Sequence, residues 1–318
     1  MIEKLYIRAD GNAAIATGHI MRCLCIASEV NSLSPVPVSF IVSDRESGEM
    51  LKSRMDSFPQ EVRVSSIVET GVPYTEPSKE LHFLRGLFTD EPNGFLLCDT
   101  YYVDNSYFSA LSDRVRTGFI DDLHAFDPEV DVLIDYSPGE HIPWDSPGSA
   151  LLGTGYAPVR REFRDAVFTV RDRVSRILVS CGGAENEWTD RILHALSDIP
   201  GVVPMPFTDR VSEEFLASDI LVSAAGSTLY EAAALGIPTV SVVTADNQIS
   251  GAMAFDRLHV IPFAGDLRKG DAVFDKLHEL VSGLSAEGSF AERSGRSDIM
   301  RSLVDGQGAR RIAEAILG

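Results

Sequence analysis

Short apolar runs rich in β-branched and aromatic residues alternate with amphipathic stretches along the chain. In the first half the strand-like runs are "KLYIR", "PVSFIVS", "VRVSSI", "GFLLCDT", "RTGFIDD" and "VDVLIDY". Helical periodicity fills 19–30, 46–55, 78–89 and 105–114 between them. This alternation predicts a parallel sheet with helices on both faces. The second half repeats the theme: "RILVSCGG" precedes "NEWTDRILHALSDI", "DILVSAAG" precedes "STLYEAAALGI", and "PTVSVVT" precedes "DNQISGAMAF". Continuous apolar strands such as "ILVS" and "VSVV" suit a sheet buried on both faces.

A charged, proline-bearing segment, "LLGTGYAPVRREFRDAVFTVRDRVS", separates the halves. The pattern therefore reads as α/β, with two domains at 1–160 and 161–318. The last helix, in "DGQGARRIAEAILG", is expected to pack back on the first domain. Paired domains of this kind bind ligand in the cleft they face, at the carboxyl ends of their strands. That is where the unusual residues of this chain fall.

A length of 318 residues suits two cores. The formal net charge of −19, with no long basic run, predicts no nucleic-acid partner. No apolar run approaches the roughly 20 residues of a membrane span. "MIEKLYIRAD" reads into a strand and not a signal peptide, so a cytoplasmic location is expected. Cys23, Cys25, Cys98 and Cys181 form no C-x-x-C pair and are expected to be buried, reduced thiols. The histidines are scattered without a zinc signature, so no metal is expected.

Four stretches carry candidate chemistry. The first strand ends in Arg8 and Asp10, a loop follows to Gly18, and a helix starts near His19. Positive charge is disfavoured at a helix start, and a neutral imidazole can accept a proton from water. Arg22, one turn on, either aims at an anion or pairs with Asp10. The competing reading makes His19 a cap and pairs Asp10 with Arg8 or Arg22. No G-x-G-x-x-G fingerprint is present, so no dinucleotide cofactor is expected.

The second stretch places Gly182 and Gly183 between a strand and a helix, where a ligand can approach the backbone closely. In the third, Gly226, Ser227 and Thr228 precede a helix whose N–H groups and hydroxyls suit a phosphate. Glu231 lies on the same face, either to accept bonds from ribose hydroxyls or to complete a capping box with Thr228. In the fourth, Asp246, Asn247 and Gln248 follow a strand end. The first half adds Asp99, Tyr101, Asp121 and Asp122 at strand ends, and His124 as a second, loop-borne candidate base.

"IRADGNAAIATGHIMRCLCIA", "FIDDL", "LLGTGYAPVRREF", "SCGG" and "SAAGSTLYEAAALGIPTVSVVTADNQ", in this order, resemble the UDP-sugar hydrolase family of pseudaminic acid biosynthesis and its spore-coat polysaccharide relatives. The resemblance implies two Rossmann-like domains in the glycosyltransferase-B architecture. It also implies metal-free hydrolysis of UDP-2,4-diacetamido-2,4,6-trideoxy-β-L-altropyranose with inversion and without a cofactor. On that resemblance His19 is the base, with Asp10 and Tyr101 as the other active-site residues. Gly226, Ser227, Thr228, Glu231, Asn247 and Gln248 fall in the nucleotide segment; Gly18, Arg22, Asp121, Gly182 and Gly183 complete the expected binding set. The chain departs from the family at Ala16, where glycine is usual, and at Ala184, Glu185 and Asn186, where S-D-P is usual. A glycosyltransferase on the same frame, a nucleotide-sugar hydrolase for another sugar and a non-catalytic binding module are the competing readings.

Overall fold

The computed structural model describes residues 2–12, 15–89, 93–139, 141, 148–181 and 187–318. Gly182 and Gly183, with Ala184, Glu185 and Asn186, lie outside the described residues. In chain order the first elements are β1 (Lys4–Ala9), α1 (Gly18–Leu33), β2 (Val38–Val42), α2 (Arg45–Asp56), β3 (Ser66–Glu69), α3 (Leu81–Leu87), β4 (Gly94–Asp99), α4 (Asn105–Ser109), β5 (Arg116–Ile120), β6 (Val132–Asp135) and β7 (Ser149–Leu152). They are followed by α5 (Arg161–Arg164), β8 (Ile177–Ser180), α6 (Glu187–Ala195), β9 (Val202–Pro204), α7 (Val211–Leu216), β10 (Ile220–Ala224), α8 (Thr228–Leu235), β11 (Thr239–Val243), α9 (Ile249–Arg257), β12 (Phe263–Asp266), α10 (Ala272–Ser285), α11 (Phe290–Leu303) and α12 (Gly308–Leu317).

Among the described residues the first sheet has the order β3-β2-β1-β4-β5-β6-β7 and the second β12-β11-β10-β8-β9. Their paired strands run parallel. Central strands such as β2, β4 and β11 are buried along their whole length, as continuous apolar runs require. In the first sheet the order reverses between β1 and β4, and in the second between β8 and β10. Such reversal points open a crevice at the carboxyl ends of the strands.

The strands absent from the sequence reading are β7, β9 and β12, each at a sheet edge. Edge strands are short and half-solvated, so their apolar signal is weak. β3 also starts later than "VRVSSI" suggests, at Ser66.

The chain forms two units, one of residues 1–136, 140–158 and 307–318, the other of 137–139 and 159–306. In the first unit α12 packs along α1, burying Ile312, Ala313 and Ile316. Gly308 makes this docking feasible, because a Cβ there would stand 2.2 Å from the Ala157 carbonyl oxygen. The Arg311 guanidinium donates to the Gly155 carbonyl at 2.7 Å. In the second unit α8 ends at Gly236, whose φ of 80° is left-handed. The Gly236 and Ile237 N–H groups close the last turn on Ala232 and Ala233.

Candidate functional site

His19 is the second residue of α1 and faces the reversal point between β1 and β4. Thr17 is the N-cap residue and makes no side-chain cap, so the cap reading of His19 does not hold. The imidazole is buried instead, with Nδ1 2.6 Å from Asp99 Oδ1. Asp99 closes β4, and its register partner on β1 is Ala9. Strand pairing thus brings the end of β4 beside the loop that leads into α1.

Arg22 stands one helical turn beyond His19 and backs the same carboxylate. Its Nε donates to Asp99 Oδ2 at 2.6 Å, and a second guanidinium nitrogen donates to Oδ1. The third nitrogen donates to Asp122 Oδ2 at 2.7 Å and to the Tyr136 hydroxyl at 2.5 Å. Arg22 therefore pairs with Asp99 and Asp122, not with Asp10. Burial alone would raise the Asp99 carboxyl; the Arg22 charge and the His19 contact outweigh it and hold the group well below the usual carboxylate range. Burial pushes the Tyr136 hydroxyl up, which keeps it protonated.

These contacts decide the tautomer. A guanidinium nitrogen of Arg22 lies 3.1 Å from His19 Nδ1, which would require Nδ1 to accept. Asp99, ionised and at 2.6 Å, requires Nδ1 to donate. A lone pair facing a carboxylate at that distance would be repelled, so the Asp99 contact prevails and Nδ1 carries the proton. Nε2 is then the accepting nitrogen. The Tyr101 ring packs edge-on against the imidazole, with centroids 4.6 Å apart and planes at 71°. Its hydroxyl lies 3.4 Å from Asp122 Oδ2.

Asp99, and not Asp10, is the acid that holds the imidazole. Asp10 Oδ1 accepts the Ser43 N–H at 2.6 Å, and Oδ2 accepts from the Ser43 hydroxyl at 2.8 Å and from Arg8 at 2.5 Å. The wholly buried Arg8 also donates to Glu80 at 2.9 Å, and the Tyr107 hydroxyl donates to the same oxygen at 2.8 Å. Asp10 thus fastens the end of β1 to the end of β2. Asp121 is likewise occupied: its Oδ1 accepts the N–H groups of Leu123 and His124 at 3.1 and 2.8 Å, shaping its own turn. Its neighbour Asp122 is the one that meets Arg22. His124 pairs with Asp135, Nε2 to Oδ2 at 2.9 Å, and His141 reaches the same oxygen at 2.7 Å.

In the second unit Gly226 and Ser227 lead into α8 from the end of β10, at that sheet's reversal point. The N–H groups of Leu229 and Tyr230 already donate to the carbonyls of Gly226 and Ser227, at 3.1 and 3.0 Å, which leaves those of Ser227 and Thr228, among the described residues, as the place for an anion. Ser227 is the N-cap residue and makes no side-chain cap bond. Glu231 does not close a capping box; its Oε1 accepts from Arg160 Nε at 2.7 Å. Gln248 Oε1 accepts the Thr244 N–H at 2.9 Å and its hydroxyl at 3.2 Å, tying the loop after β11, and Asn247 is exposed.

The glycines at these two helix starts have open space beside them. A Cβ at Gly18 or at Gly226 would meet nothing within 4 Å, and neither residue has a positive φ. The packing of the chain therefore does not demand glycine at either helix start, and space over both backbones is open. Asp99, Asp122, Tyr136 and Arg160 are the residues whose parts the sequence reading did not assign. Asp99 and Asp122 carried a signal, being acidic residues at strand ends, but only strand order tells which acid faces His19. Among the described residues no cluster of histidine, cysteine and acidic groups could hold a metal ion.

No family model and no curated protein matches the chain. Solved structures do. Acinetobacter baumannii MurG superposes with a TM-score of 0.66 at 13% identity, covering 99% of each chain. Phytolacca americana UGT2, complexed with UDP-2fluoro-glucose and pterostilbene, gives a TM-score of 0.64 at 11% identity, covering 100% of this chain and 99% of the other. UDP-GlcNAc 2-epimerase from Neisseria meningitidis, bound to UDP-GlcNAc, gives 0.59 at 12% identity, covering 98% and 99%. With its two parallel-sheet α/β domains, the chain has the glycosyltransferase-B fold.

Proposed function

We propose that this chain is an enzyme that hydrolyses a UDP-linked sugar, releasing UDP and the free sugar with inversion at the anomeric carbon. The observation that carries the reading is the His19–Asp99 pair, which leaves Nε2 as a proton acceptor on a buried, oriented ring. Water loses its proton to Nε2 as its oxygen bonds to the anomeric carbon. The bond from that carbon to the UDP oxygen breaks, and the electron pair leaves with UDP. Asp99 and Asp122 give the cluster two negative charges against the single charge of Arg22, which favours the imidazolium that forms.

The nucleotide is assigned to the second unit. The α8 start suits a diphosphate, and the open space at Gly226 allows its close approach. Glu231 accepts the ribose hydroxyls. UDP or a UDP-sugar is named in two of the similar structures, which supports the same ligand class here. The sequence resemblance narrows the sugar to UDP-2,4-diacetamido-2,4,6-trideoxy-β-L-altropyranose, as an intermediate of pseudaminic acid biosynthesis.

The test is UDP release from that sugar nucleotide without acceptor or added metal, followed by proton NMR of the sugar. Inverted free sugar is expected. A second reading, a glycosyltransferase, is favoured by the likeness to UGT2, which is complexed with pterostilbene beside UDP-2fluoro-glucose. Nε2 would then deprotonate an acceptor hydroxyl. Sugar nucleotide that binds but yields no UDP until an acceptor is supplied would select it.

A further inference from the structure

Arg160, immediately before α5, stands between two carboxylates. Its Nε donates to Glu231 Oε1 at 2.7 Å, and another guanidinium nitrogen lies 2.8 Å from Glu162 Oε1. The guanidinium carbon lies 4.8 Å from the centroid of the Phe163 ring. Glu162 is tied in turn, its Oε2 accepting from the Ser212 hydroxyl at 2.9 Å. The three charged side chains are 11%, 14% and 13% exposed for Arg160, Glu162 and Glu231. α5 packs against α8, so the backbones carrying these groups are fixed together.

A mostly buried ion cluster is a poor device for stability alone, because desolvation offsets most of its attraction. Its distinctive effect is orientation. A glutamate on a helix has three side-chain torsions, and its carboxylate is broadly free about the last one. Arg160 removes that freedom by holding Oε1 from a planar fork that is itself stacked on Phe163. Among the described residues no donor reaches Glu231 Oε2. We infer that Arg160 is a positioning residue, which locks the Glu231 carboxylate in the plane needed to accept both hydroxyls of a ribose. The inference rests on the reading of Glu231 as the ribose acceptor.

The experiment compares UDP with 2′,3′-dideoxy-UDP by calorimetric titration of the wild-type chain and of Glu231→Gln, Arg160→Gln and Arg160→Lys. Hydrogen bonds to a charged acceptor predict that the wild type prefers UDP by about tenfold or more. Glu231→Gln and Arg160→Gln are expected to shrink that preference to about threefold or less, leaving dideoxy-UDP affinity unchanged. Arg160→Lys keeps the charge but not the fork, so it too loses most of the preference, and it serves if Arg160→Gln does not fold. A wild type that does not bind UDP, or binds it without ribose preference, overturns the reading of Glu231 and this inference with it. A preference abolished in Glu231→Gln but retained in the folded Arg160 variants overturns the inference alone. So does an equal loss of affinity for both nucleotides in those variants, which would make Arg160 a phosphate contact.

Discussion

Asp99 holds His19 by a 2.6 Å hydrogen bond from a position eighty residues further along the chain. The same carboxylate is gripped by Arg22, so the acid that orients the ring is itself fixed. Asp99→Asn would present an amide to Nδ1 and favour the wrong tautomer. Turnover is expected to fall by about 10²- to 10⁴-fold with UDP affinity unchanged. Steady-state rates and UDP titration on the folded variant decide this.

The acid limb of stability follows from the same group. The native Asp99 carboxyl titrates well below its unfolded value of about 3.9. Its stabilisation is therefore complete above roughly pH 4 and is lost as the pH falls towards the native value. Urea unfolding at pH 5 and pH 3 is expected to show a smaller acid loss in Asp99→Asn than in the wild type. An equal loss would assign the acid sensitivity to other carboxylates.

Gly236→Ala tests the helix that carries Glu231. The left-handed φ costs about 1–2 kcal/mol for a residue with a Cβ. The added carbon would also stand 2.7 Å from Ser297 Oγ and 2.9 Å from Arg301 Cγ. A fall in thermal midpoint of at least about 2–4 °C is expected by calorimetry.

The four cysteines are buried and form no disulfide. Burial pushes the Cys181 thiol up to about 12, and burial with the nearby Asp99 charge raises Cys23. A thiol reagent at pH 8 is expected to modify none of them within minutes in the native protein and all four in denaturant. Rapid native labelling would mean that a strand end opens readily.

Much of this was legible from residue order. Continuous apolar strands announced both parallel sheets, and the "TGH" and "GSTLYE" turns announced both helix starts. Edge strands did not declare themselves, because a half-solvated strand has no reason to be continuously apolar. The partner of His19 was not legible either. Asp10 and Asp99 both end strands, and Asp10 is far nearer in sequence. Only the pairing of β1 with both β2 and β4 sends Asp10 towards Ser43 and leaves Asp99 beside the imidazole. Arg160 and Glu231 are seventy-one residues apart, and no local pattern relates them.

The docking of α12 on α1 has a consequence for synthesis. The first unit is begun by residue 2 but includes residues 307–318. A nascent chain that has already emitted β1 to β7 still lacks the helix that covers α1, and α1 bears His19. The second unit, residues 159–306 with the short 137–139 segment, has all its strands before α12 emerges. On the ribosome the order of completion is thus the reverse of the order of translation, and the proposed base gains its full support last.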